Sequence, residues 1–196
     1  ILKLFEKGEV SKDKIQQINK KIDSNIERIS SIVMQLRQIA NDPEGKNIQP
    51  IELKQYMLET ESIYHGYVKG YDIELEKDLP SSPVWALGSK TAIAQVLVNL
   101  VQNAAYAMRG FPQRKVFIKL YSKDEHAFIE VTDTGPGIPK ENQKKIFEPF
   151  FTTKGPEDGT GLGLSLVHAY VKAMNGTVDV KSKRPGTTFI VKLRKA

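Results

Sequence analysis

The chain has 196 residues and no cysteine, enough for one ordinary domain with an appended element and excluding disulfides and thiolate metal sites. At 40% hydrophobic and 27% charged residues it has the balance of a soluble globular protein. No apolar run approaches the roughly 20 residues that span a bilayer and no signal peptide opens the sequence. A cytoplasmic setting is therefore expected, with any membrane anchor outside these residues. The net charge is +6, but the lysines are interleaved with acids instead of forming one block. That pattern suits a solvated surface that attracts polyphosphate, and no nucleic-acid face is expected.

Residues 11–40 carry the cleanest periodicity. Ile15, Ile22, Ile29 and Leu36 recur every seven residues, and Ile18, Ile32 and Ile39 form a second seam interrupted by Asn25. Ile26, Val33 and Ala40 widen the stripe, which suits a helical bundle. About eight turns of apolar stripe need a partner of similar length, so a homodimer through this helix is expected. "NDPEGKNIQP" then reads as a linker. The division expected is a helical element over 1–45 and a mixed α/β domain over 46–196.

Within that domain "IELKQYMLETESIYHGYV" predicts a helix, "YDIELEKDL" a strand, and "PSSPVWALG" a turn with a short strand. Ser89 is placed to cap a helix over about 90–109, closed by Gly110. "KVFIKLYSK" and "HAFIEVTD" alternate as a hairpin around "KDE". A short helix near 140–146, a polar and glycine-rich stretch, and a helix over about 162–175 follow. "TVDVKS" and "TTFIVKL" close the sheet. Strands in sequence-adjacent pairs with helices on one face predict an α+β fold, a two-layer α/β sandwich.

Residues 159–164 read "GTGLGL" ahead of the last helix, the kind of loop that wraps around phosphate. It is not a P-loop, since GxxxxGK[ST] is absent. It is not a dinucleotide fingerprint either, because leucine stands where the third glycine should be. The protein-kinase set of strand lysine, HRD and DFG is missing too. Three further stretches stand in order with it: "NLVQN", with Asn99 and Asn103 one helical turn apart; "DTGPGIP", with Asp133, Gly135 and Gly137; and "FEPFFTTK". The order NxxxN, DxGxG, FxPF and GxGxG resembles the ATP-binding domain of bacterial sensor histidine kinases. These belong to the Bergerat-fold (GHKL) ATPase superfamily, together with type II topoisomerases, MutL proteins and Hsp-ninety-class chaperones. The resemblance covers roughly residues 50–196, and its wording is most similar to the nitrogen-regulatory and sporulation-type kinases.

The resemblance implies ATP and Mg²⁺ as ligands. Asn103 would offer a neutral amide oxygen to Mg²⁺, a cation that prefers oxygen ligands, and Asn99 would orient a water or the phosphoryl group. The Asp133 carboxylate would accept from the adenine amine, where guanine presents a carbonyl, with Gly135 and Gly137 opening the approach and Thr187 completing the contact. Phe147, Pro149, Phe150 and Phe151 would anchor a lid, "TTKGPEDG", whose Thr153 and Lys154 reach the phosphates. Gly159, Thr160, Gly161, Leu162 and Gly163 would turn backbone N–H groups toward the triphosphate. The catalytic set implied is Asn99, Asn103 and Lys154.

Two departures from the family pattern stand out. Many relatives carry a basic residue three positions after the second asparagine, where this chain has Tyr106. The acceptor histidine of such kinases is followed by an acidic residue and then a proline, whereas the histidines here precede Gly66, Ala127 and Ala169. The acceptor is expected upstream of Ile1, with a response-regulator receiver domain as the next partner. Two readings stay open: an ATP-dependent histidine kinase, and a pseudokinase or ATP-gated scaffold that binds Mg-ATP without transfer. A DNA-handling relative would carry a glutamate where Asn99 stands.

Overall fold

The structure is a computed structural model that describes residues 14–19, 22, 26, 47–155 and 159–196. Residues 14–19, together with Ile22 and Ile26, are helical, and the rest of the predicted heptad stripe lies outside the described residues. Among the described residues no helix is long and apolar enough to cross a membrane.

Strands and helices run from Gln49 to Arg194. The order is β1 (Gln49–Glu52), α1 (Leu53–Glu59), α2 (Glu61–Gly70), β2 (Glu74–Asp78), β3 (Trp85–Gly88), α3 (Lys90–Ala107), β4 (Lys115–Lys123) and β5 (His126–Asp133). Then come α4 (Lys140–Gln143), α5 (Gly163–Ala173), β6 (Thr177–Ser182) and β7 (Thr187–Arg194). Five strands form one sheet in the order β2-β4-β5-β7-β6, and β1 pairs with β3 as a separate two-stranded sheet. Pairing is antiparallel except for β2 against β4.

The expectation of sequence-adjacent pairs holds for β4–β5 and β6–β7 and fails for the others. The helix expected to run from residue 51 begins instead at Leu53. Gln49–Glu52 pairs with Trp85–Gly88 as a strand, and the Glu52 carboxylate then caps α1, accepting from the Lys54 and Gln55 N–H groups. The same helix breaks at Thr60, whose hydroxyl donates to the Tyr56 carbonyl.

The two layers follow from the period-two pattern. Val116, Ile118 and Leu120 of β4, Ala127, Ile129 and Val131 of β5, and Phe189, Val191 and Leu193 of β7 all point into the core. They meet the apolar face of α3, built by Ile93, Val96, Leu97, Leu100, Val101 and Ala104. Each fully buried aliphatic side chain contributes about 1.5–3 kcal/mol. Ile118↔Val131↔Phe189 and then Val116↔Asp133↔Thr187 are successive rungs of one inward-facing row. The row therefore ends in two polar residues side by side, at the edge of the core where a cleft opens.

Candidate functional site

A cleft of about 690 Å³ lies between the ends of α3, β5 and β7 on one side and the segment leading into α5 on the other. That volume is in the range of small-molecule and nucleotide sites. Asn99, Asn103, Asp133, Gly137, Thr153, Lys154, Gly159, Thr160, Gly161, Gly163 and Thr187 all line it. Gly135 lies just behind Asp133, and the Leu162 side chain is buried.

At the sheet end, Asp133 is 5% exposed and Thr187 is 4% exposed. One carboxylate oxygen of Asp133 accepts from Gly135 N–H at 2.8 Å, and the Thr187 backbone N–H also donates to the carboxylate. Burial is the dominant influence and pushes the Asp133 carboxyl up to about 6, against the downward pull of those two N–H groups. A Cβ on Gly135 would stand 2.8 Å from the same oxygen, so the absence of a side chain there serves the carboxylate directly. Ser182, which sequence reasoning missed, ties the corner together. Its hydroxyl accepts from Ile138 N–H at 2.7 Å, lies 3.0 Å from the Thr187 hydroxyl, and bonds the Gly186 carbonyl. No local pattern marks Ser182; it reaches the site because β6 pairs with β7.

At the helical end, Asn99 and Asn103 project from α3 toward the start of α5. Asn99 is 6% exposed; its Nδ2 donates to the Gln95 carbonyl at 2.9 Å, which turns its Oδ1 toward Gly163. A Cβ on Gly163 would come within 3.3 Å of that Oδ1 and 3.5 Å of the Asn103 Nδ2. Glycine thus lets the two helices close at the asparagines. The N-cap of α5, Leu162, makes no side-chain cap hydrogen bond, and Gly163 and Leu164 of the first turn line the cleft.

Lys154 enters from the other wall. Its ammonium donates to Asn103 Oδ1 at 3.2 Å and sits 4.1 Å from the centre of the Tyr106 ring. Residues 156–158 of the predicted lid lie outside the described residues. Of its expected anchors, Phe147 packs against the Phe189 ring at 6.4 Å and the His168 ring at 5.9 Å, and Phe151 is partly buried against the core. Phe150 is not an anchor: it is 66% exposed with a positive φ of 67°. Gly161, with φ 68°, faces its backbone, and a Cβ there would collide with the Phe150 carbonyl.

Among the described residues no group of three or more His, Asp or Glu could cage a metal alone. A cation in this cleft would thus draw on the Asn103 amide oxygen, a bound ligand and water.

Residues 88–196, more than half of the chain, match the family described as histidine kinase-, DNA gyrase B-, and HSP90-like ATPase. The probable sensor histidine kinase TcrY of Mycobacterium tuberculosis is 34% identical over 88% of this chain and 37% of its own length. The signal transduction histidine-protein kinase AtoS of Escherichia coli is 32% identical over 93% of this chain and 29% of its own. The chain thus spans about a third of these relatives. The solved catalytic domain of histidine kinase ThkA superposes with a TM-score of 0.67 at 29% identity, covering 76% of this chain and 96% of that one. Sequence and superposition agree: the chain belongs to the histidine kinase-, DNA gyrase B- and HSP90-like ATPases, a family whose ligand is ATP.

Proposed function

We propose that this chain is the catalytic, ATP-binding portion of a two-component sensor histidine kinase. It would transfer the γ-phosphoryl group of ATP to a histidine on a dimerisation helix outside these residues, for relay to an aspartate of a response regulator. The observation that carries this reading is a cleft with a buried carboxylate, Asp133, at one end and an asparagine pair with a lysine, Asn99, Asn103 and Lys154, at the other.

The ionised Asp133 accepts from the adenine exocyclic amine, and Thr187, with Gly137 beside it, fills the same wall. Gly135 keeps the carboxylate oriented through its N–H. At the far end the Asn103 oxygen, which holds an ammonium in this structure, suits Mg²⁺, a cation that takes oxygen ligands. Bound there with the triphosphate, Mg²⁺ would neutralise phosphate charge. Lys154 supplies a point charge to the terminal phosphate, assisted by Thr153. The N–H groups at the α5 start, with Gly159, Thr160, Gly161, Leu162 and Gly163 contributing backbone, favour the same anion. An acceptor imidazole nitrogen then forms the new P–N bond, the bond to the β-phosphate oxygen breaks, ADP leaves and the imidazole gives up its proton. Asn99 orients groups but cannot deprotonate water, because an amide is not basic. That favours transfer to protein over hydrolysis.

Residues 1–45 would form part of the dimerisation element of a homodimer. Ile22 and Ile26, 46% and 56% exposed, leave an apolar surface for a second copy. Such a kinase domain works in the cytoplasm, where ATP and receiver domains are found. The test supplies an acceptor-helix segment of the parent kinase in trans with γ-labelled ATP. The expected product is acid-labile, base-stable phosphohistidine. Mg-ATP binding without transfer would overturn the kinase reading in favour of a scaffold.

A further inference from the structure

Tyr106 stands three positions after Asn103 and faces two cations. The Lys154 ammonium lies 4.1 Å from the Tyr106 ring centre, within the range of a cation–π contact. In the turn after α3, the Arg109 guanidinium lies 4.4 Å from the same ring and 5.0 Å from the ring of Tyr71, whose hydroxyl it also bonds. Tyr71, Arg109, Tyr106 and Lys154 thus alternate ring and cation from the end of α2, across the end of α3, to the segment preceding α5. All four line the cleft.

We propose that Tyr106 is a positioning residue that seats Lys154 in the cleft before nucleotide arrives, so that Tyr106 determines the preference for ATP over ADP. This rests on the reading of the cleft as an ATP site with its phosphate end at Asn103. A free lysine side chain loses rotamer entropy on meeting a phosphate, and a ring that already holds it removes part of that cost. The ammonium shares Asn103 Oδ1 with the position proposed for Mg²⁺. When that oxygen is taken, like charge turns the lysine away from it, and the ring is a neutral contact the lysine can keep. The charge is then retained beside the terminal phosphate, the group that ADP lacks. Arg109 supports the ring from a second contact without taking part itself.

The experiment is equilibrium titration of the 196-residue chain with Mg-ATP and Mg-ADP, for wild type and for Tyr106→Phe, Tyr106→Leu and Lys154→Ala. A fourth variant carries a ring-fluorinated phenylalanine at position 106, which weakens the ring's attraction for a cation at nearly constant shape, and a fifth combines Tyr106→Leu with Lys154→Ala. Tyr106→Phe is expected to keep the ATP-over-ADP ratio. Tyr106→Leu and the fluorinated ring should lower it about fivefold, the size of one cation–π contact, and Tyr106→Leu should add nothing in a Lys154→Ala background. An unchanged ratio in the fluorinated protein, or additive effects in the double variant, overturns the inference. Failure of wild type to bind either nucleotide overturns the ATP-site reading instead.

Discussion

The two ends of the cleft are built from different materials. Asp133 and Thr187 terminate a hydrogen-bonded row of the sheet and are almost wholly buried, with backbone N–H groups and Ser182 fixing their geometry. At the other end Thr152, Thr153 and Gly155 around Lys154 are exposed, and the charge is carried on a long side chain held by an amide oxygen and a ring. A buried, preset acceptor suits recognition of one base, because its desolvation is met in folding. A half-buried cation on a long side chain suits a triphosphate, whose attraction is strong and weakly directional. The contrast predicts that base-end variants change which nucleotide binds and how stable the fold is. Phosphate-end variants should change turnover and salt sensitivity.

The largest expected effect is at the phosphate end. Asn103→Ala should lower transfer to the acceptor helix by about a hundredfold or more, the scale seen when one charge-stabilising group is removed, while leaving the thermal transition in place. Residual transfer near the wild-type rate would show that Asn103 is peripheral.

Next comes Asp133→Asn, which separates binding from stability. Loss of a charged acceptor should weaken ATP binding about tenfold to a hundredfold. The same variant should fold more stably at neutral pH. The Asp133 carboxyl is raised to about 6 when folded, against about 3.9 in an unfolded chain. Folded protein holds that proton more tightly, so this group's contribution is fully present below about pH 4 and is lost as pH rises through about 6. At pH 7.5 the buried charge opposes folding by about 3 kcal/mol. Thermal melts of Asp133→Asn should therefore exceed wild type at pH 7.5 and converge with it near pH 4. ATP affinity of the wild type should fall as pH drops through about 6. A variant that is no more stable at pH 7.5 would break the picture of a buried charge that opposes folding.

Lys154→Ala should weaken ATP binding about tenfold and flatten its dependence on ionic strength, read by titration at low and high salt. Ser182→Ala has the smallest effect, about threefold on ATP affinity through loss of neutral hydrogen bonds around Thr187. A larger loss than for Asp133→Asn would move the base contact to Ser182.

How much of this was legible in sequence depends on the range of each interaction. The alternation of β4, β5, β6 and β7 and the apolar face of α3 are local patterns, and the structure reproduces them. The motif order likewise anticipated that Asn99, Asn103, Asp133 and "GTGLGL" meet at one cleft. What escaped was non-local. Gln49–Glu52 lacks a strand pattern and carries a proline, and it extends only because residues 85–88 lie beside it. Ser182 joins the site through strand pairing, and the parallel β2–β4 register needs the intervening β3 and α3 to be placed first. Tyr106 read as a lost cation, since nothing in a linear string shows that Lys154 lies over its ring.

The central claim is that the buried carboxylate at the sheet end reads adenine, and the most direct test is titration of the wild-type chain with Mg-ATP and Mg-GTP at pH 7.5. A guanine carbonyl facing Asp133 would leave two acceptors opposed, so ATP should bind at least about tenfold more tightly than GTP. Equal affinity for the two nucleotides would contradict the account.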